Sequence, residues 1–163
     1  MNECLFRPDR RYRYSLTHDM RDPLFAPTTP IERIVFIGLN PSKADESVLD
    51  PTLRRIRGYT RLLGGNLFVM LNLFSFRATD PKAMLREPDP VGPQNDEVLA
   101  AETVTAKVVV LAWGCHGTHR GRDQEVRGLL KAWGVPMMAL RLTKEGHPEH
   151  PLYLPGGIKP IWL

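Results

Sequence analysis

The stretch IVFIGLNPSKADES, residues 34–47, breaks its own pattern. Ile34, Val35, Phe36 and Ile37 form an apolar run that stops at Gly38. An amide, a proline, a serine and a lysine then follow within five residues. An apolar run with no polar alternation predicts a strand covered on both faces, as parallel strands beneath helices are. The polar turn then places Asn40 and Ser42 where the chain leaves the core.

Elements of the same kind repeat on the C-terminal side. Asp50 suits a helix N-cap and Pro51 the first turn, with Leu53, Ile56 and Leu63 on one face and the glycine pair 64–65 as the stop. NLFVMLNLFSF (66–76) reads as a second strand and QNDEVLAAETVTA (94–106) as a second helix, with a short turn possible at 81–87. KVVVLAWG (107–114) is a third strand. RDQEVRGLLKAWG (122–134) is a third helix, with Val126, Leu129, Leu130 and Trp133 at helical spacing. VPMMALRL (135–142) is a fourth strand, and the tail from 143 reads as loop. On the N-terminal side, CLFRPDRRYRYSL (4–16) predicts a hairpin turning at 7–10. Its residues Tyr12, Tyr14 and Leu16 alternate with Arg11, Arg13 and Ser15.

Strand–helix alternation with four core strands predicts one domain, residues 1–163. Its expected form is a three-layer α/β/α sandwich with a four-stranded, mostly parallel central sheet and an appended N-terminal hairpin. Ligands of such sheets sit at the carboxyl ends of the strands. Four polar clusters fall there: GLNPS, NLFSFRATD, WGCHGTHRGR and TKEGHPEHP.

Composition narrows the function classes. Apolar residues make up 42% and charged residues 25%, ordinary values for a soluble globular chain. No apolar run approaches a membrane span, and the N-terminus lacks the apolar centre of a signal peptide, so a cytoplasmic location is expected. Two cysteines are too few for a disulfide framework or a four-thiolate cluster. The net charge of +4 and the excess of arginine over lysine fit either biased composition or contact with phosphates.

The polar clusters each admit a plain and a chemical reading. GLNPSKA is neither a Walker loop nor a dinucleotide fingerprint, which weakens kinase, NTPase and dehydrogenase readings. Its Asn–Pro pair is a plain turn on composition, or an amide presented to a ligand or water. Cys115, His116 and His119 offer zinc-binding atoms without an evident fourth ligand, so no metal and no cofactor is expected. HPEHPLYLP is a stiff extended loop that either turns at the surface or holds an imidazole over a pocket.

FIGLNPSKADE, DPTLRRI, NLFSFRATDP, DPVGPQND, AWGCHG and HPLYLP together resemble an uncharacterised bacterial family, domain of unknown function 1643. The ordered set is also similar to the uracil-DNA glycosylase superfamily. In that resemblance Gly38-Leu39-Asn40-Pro41 matches the first motif, and Asn72 takes the place of the asparagine that reads the base edge. Leu111-Ala112-Trp113-Gly114-Cys115-His116 matches the third-strand motif, and His150-Pro151 the loop whose histidine stabilises the leaving base.

The resemblance implies a uracil-DNA glycosylase-like fold acting in DNA repair. It makes Asn40 and His150 the catalytic pair, and Gly38, Ser42, Asn72, Phe76, Trp113, Gly114 and His116 the base site. Phe74 and Phe76 are candidates to stack on the base. Arg54, Arg55, Arg77, Arg120 and Arg122 would contact nucleic acid, with Leu154 as the wedge. Asn40 stands where many members have aspartate, and Leu152-Tyr153 replace the usual Ser-Pro. Two classes follow: a hydrolase cleaving an N-glycosidic bond in DNA or a nucleotide, or a non-catalytic module binding a nucleotide or nucleic acid in the same pocket.

Overall fold

The computed structural model describes residues 2–42 and 50–163, so positions 43–47 of the opening stretch lie outside it. The chain forms β1 (Asn2–Phe6), β2 (Arg13–Asp19), β3 (Arg33–Gly38), α1 (Pro51–Leu62), β4 (Leu67–Asn72) and α2 (Pro81–Arg86). It continues with α3 (Asn95–Thr103), β5 (Val108–Leu111), α4 (Arg122–Ala132), β6 (Met137–Ala139) and β7 (Ile161–Trp162).

All seven strands form one mixed sheet in the order β1-β2-β4-β3-β5-β6-β7. The expected four-stranded, mostly parallel sheet is therefore not the one observed, nor is the uracil-DNA glycosylase-like architecture built on it. β3 pairs in parallel with β4 and β5, and β5 with β6, but β1–β2, β2–β4 and β6–β7 are antiparallel. The physical reason is edge pairing. An exposed strand edge leaves a row of unsatisfied backbone groups. The N-terminal hairpin closes the edge of β4, with Leu16 opposite Met70 and Asp19 opposite Leu67. At the far side the tail, expected to be loop, supplies β7 to pair with β6.

Alternation along β3 splits the core in two. Ile34 and Phe36 pack with Leu53, Ile56 and Tyr59 of α1 on one face. Val35 and Ile37 pack on the other with Met84 of α2, Leu99 of α3 and Val126 and Leu130 of α4. α1 starts where its sequence directs: Asp50 Oδ1 accepts from the Leu53 amide at 2.8 Å, and Pro51 fills the first turn. β2 lies inside the sheet, so Arg13 and Ser15, on the nominally polar side of the hairpin, are only 3% and 5% exposed. Among the described residues no helix is long and apolar enough to cross a membrane.

Candidate functional site

A cleft of about 420 Å³ opens at the carboxyl ends of β3, β4 and β5. The segments leaving β3 and β4 run side by side beyond the sheet. The Leu73 amide donates to Gly38 O, Phe74 to Leu39 O and Ala78 to Pro41 O, at 2.9 Å each. This pairing brings Asn40 and Asn72, 32 positions apart in sequence, onto one cleft. The lining also includes Gly38, Ser42, Trp113, Gly114 and His116, the start of α1 at Asp50, Thr52 and Leu53, and His150.

Asn72 is 1% exposed, and neither its Oδ1 nor its Nδ2 has a hydrogen-bond partner. Its backbone is served, since Asn95 Nδ2 donates to its carbonyl at 3.1 Å. Buried polar side chains are nearly always paired, because desolvating one without a partner costs free energy. An amide with both polar groups unpaired, in the wall of a cleft, can accept one hydrogen bond and donate another. Gly38 sits opposite it in register, and a Cβ there would stand 3.1 Å from Asn72 Oδ1. The same Cβ would collide with Met70 Cε, so glycine leaves room here for the Met70 side chain.

Asn40 is oriented differently. Its Nδ2 donates to Ala78 O at 2.8 Å and to Pro41 O at 3.2 Å, which leaves Oδ1 as the acceptor it can offer the cleft. Ser42 Oγ donates to Asp50 Oδ2 at 2.8 Å, so both oxygens of that carboxylate are engaged. The Gly114 amide donates to Pro148 O at 2.8 Å, and its φ of 75° is one that glycine adopts without strain. It ties the end of β5 to the His-Pro loop and leads into the 3₁₀ turn Cys115–Gly121.

His150 precedes a second 3₁₀ turn, Pro151–Tyr153, whose Leu152 amide donates to His150 Nδ1 at 3.3 Å. A neutral imidazole carries one N–H, so the proton resides on Nε2. Burial pushes the His150 pKa below the ordinary histidine value, against the opposing pull of the Asp50 carboxylate. The side chain is thus a neutral Nε2–H donor at neutral pH.

The structure divides the remaining candidates. Phe76 and Arg77 line a neighbouring depression, and Arg54 and Arg55 a separate one along α1 with Tyr59 and Arg61. Phe74 is fully buried and meets His119 edge-on at 5.7 Å. Leu154 is also fully buried, in the core beneath α1, and cannot project as a wedge in this conformation. Arg122, 2% exposed, donates to Leu73 O and pairs with Asp96 and Glu125, so it fastens α4 to α3 and the end of β4 instead of reaching for a phosphate. Arg120 spends its guanidinium on Pro88 O and Glu87 O. Cys115 and His116 line the cleft, yet among the described residues no three of His, Cys, Asp and Glu stand close enough to share a metal ion.

Among the lining residues that the sequence reading did not place in the site are Arg13, Tyr153 and, as more than a cap, Asp50. Tyr153 is 77% exposed, with its ring 5.6 Å from the His150 ring. It is an exposed aromatic at the cleft, whereas Phe74 is buried and Phe76 lines the neighbouring depression. Its signal was its position three residues after His150 in a proline-stiffened loop.

The model of a family described as protein of unknown function (DUF1643) matches residues 13–152, and the chain belongs to that family. No curated protein and no solved structure matches the chain.

Proposed function

We propose that this DUF1643 member binds a nucleobase in the cleft and hydrolyses its N-glycosidic bond. The substrate is a base in DNA or in a nucleotide. The observation that carries the reading is the buried Asn72 amide with both of its polar groups unpaired. Base edges present donor and acceptor side by side, and an asparagine amide matches such a pair bidentately. The order of the Gly-Leu-Asn-Pro, Asn72, Leu-Ala-Trp-Gly and His-Pro motifs, similar to that of uracil-DNA glycosylases, supports the same assignment.

The chemistry follows from the donors and acceptors present. Cleavage of the C1′–N bond leaves cationic character on the sugar and negative charge on the base. The Nε2–H of His150 is a preorganised donor for that anion, and neutrality is what lets the same side chain keep Nδ1 on the Leu152 amide. Asn40 Oδ1 is an acceptor that orients a water toward C1′. An amide takes no proton near neutral pH, so the water's proton leaves to solvent or to another acceptor after attack.

A second reading, a nucleotide-binding module without catalysis, is favoured by one feature. Asn40 supplies an amide at the position where a carboxylate would act as base. The experiment that separates the two is incubation with oligonucleotides and nucleotides bearing a panel of normal and modified bases, with the released base measured directly. Base release that His150→Ala slows by roughly 10²–10³-fold, with less effect on binding, is the expected result. Binding without release from any substrate would establish the second reading, and binding of no base at all would end both.

A further inference from the structure

Asn40 can guide an attacking water but cannot take its proton, so hydrolysis in this cleft needs a base from elsewhere. Among the described lining residues Asp50 is the only carboxylate. The other titratable groups that line the cleft are Arg13, Cys115, His116, His150 and Tyr153. His150 is already committed, since its Nδ1 accepts from the Leu152 amide and its Nε2 holds the proton offered to the leaving base.

Capping α1 uses only half of Asp50. Its Oδ1 accepts from the Leu53 amide at 2.8 Å, a task that serine, threonine or asparagine performs as well. Its Oδ2 is turned to Ser42, whose Oγ–H donates to it at 2.8 Å. A hydroxyl has one proton and two lone pairs, so with the proton on Asp50 the oxygen of Ser42 acts toward other groups as an acceptor. Ser42 lines the same cleft as Asn40 and follows it by two residues, which holds their Cα atoms within about 7 Å. A water donating one O–H to Asn40 Oδ1 and the other to Ser42 Oγ keeps a lone pair for C1′.

We infer that Ser42 and Asp50 form a proton relay, in which Ser42 Oγ takes the attacking water's proton and passes its own to Asp50 Oδ2. The inference rests on the hydrolytic reading above. As the O–C1′ bond forms and the C1′–N bond breaks, the electron pair of the broken bond goes to the base. The sugar keeps the water's oxygen with its second proton. The proton held on Asp50 then goes, through Ser42 or solvent, to the base anion, which restores the carboxylate. Proton uptake also removes a negative charge from the cleft while the base becomes an anion. That charge is felt at His150, where the Asp50 carboxylate opposes the lowering of the imidazole pKa by burial.

The test is single-turnover base release from oligonucleotides and 5′-monophosphates carrying uracil, hypoxanthine or a common base. Asp50→Asn keeps an oxygen for the helix cap, and should slow release at neutral pH by roughly 10²–10⁴-fold while binding of the same probe is unchanged. Its residual rate should climb with pH in proportion to hydroxide, which replaces the lost base, whereas the wild-type rate stays level from about pH 7 to 9. A merely structural role for Asp50 would lower the rate evenly across that range. Ser42→Ala should slow release comparably, and Ser42→Thr, which keeps the hydroxyl, should recover most of the loss. Melting curves check folding, and if Asp50→Asn does not fold, the two Ser42 variants decide. Wild-type rates in Asp50→Asn, or a loss without the hydroxide dependence, overturn Asp50 as proton acceptor and leave hydrolysis standing. Wild-type rates in Ser42→Ala overturn the relay. A wild-type protein that releases no base from any probe overturns the relay and hydrolysis together.

Discussion

Replacing Asn72 with leucine should make the protein more stable and leave the base cleft unable to bind. Asn72 is 1% exposed, and its Oδ1 and Nδ2 are both without partners. A buried polar group left unsatisfied costs about 1–3 kcal/mol, whereas an apolar group of the same shape costs nothing of the kind. Leucine is close to asparagine in shape, and Met70 and Leu71 precede the site in an all-buried strand. The backbone contacts of residue 72, to the sheet and to Asn95, do not depend on its side chain. Removing the orphaned amide should therefore stabilise the free protein by about 2 kcal/mol. For a chain of this size that is a rise in Tm of roughly 4–8 °C. The assay is paired urea and thermal unfolding of wild type and Asn72→Leu, with the urea midpoint rising at unchanged m. Loss of stability would refute the reasoning, since it would mean that the amide is satisfied in the free protein. Stabilisation with unchanged base affinity would refute its role in binding. The combination expected, gained stability and lost binding, is the signature of a side chain kept for function.

Arg122→Met should destabilise by about 1–3 kcal/mol in chemical denaturation, because Leu73 O loses a charged donor and the Asp96 and Glu125 carboxylates their cation. The salt dependence of nucleotide binding should not change, as Arg122 holds α4 and not a phosphate. His150 carries a pH dependence whose sign is fixed by its depressed pKa. Below about pH 6.5 the unfolded state binds the proton more readily than the folded state, so stability present above that pH falls as pH drops toward the folded pKa. His150→Gln should flatten this part of the stability–pH curve relative to wild type, and a curve of unchanged slope would show that His150 titrates normally.

The interior of the fold was legible because burial on both faces leaves a plain mark. IVFI and LFVML are apolar without alternation, and each is a sheet strand. The edges were not legible, because pairing is a backbone property that side chains record weakly. Ile161 and Trp162 form β7 while remaining exposed, so no periodic pattern announces them. The hairpin does alternate, yet alternation reports a half-buried strand and says nothing of its neighbour. Its docking on β4 is a long-range choice made by an open edge, and it turned the expected four-stranded sheet into a seven-stranded mixed one.

The same distinction governs the site. Residues at the ends of β3, β4 and β5 could be placed on one cleft because strand ends converge whatever their side chains. Rim arginines could not be sorted, since a guanidinium on a helix reads alike whether it faces solvent or is pinned inside. Arg122 and Arg77 were indistinguishable in sequence, and one proves buried against Leu73 O while the other lines the depression beside the cleft. What separates them is the company each finds through tertiary contact: Asp96 and Glu125 for Arg122, the Phe6 ring and the Arg10 carbonyl for Arg77. A carboxylate partner spends the charge, and a ring partner leaves it available. Neither kind of partner is adjacent in sequence to the arginine it engages, and Arg11 meets both a ring and the Glu87 carboxylate, so only the folded chain tells the arginines apart.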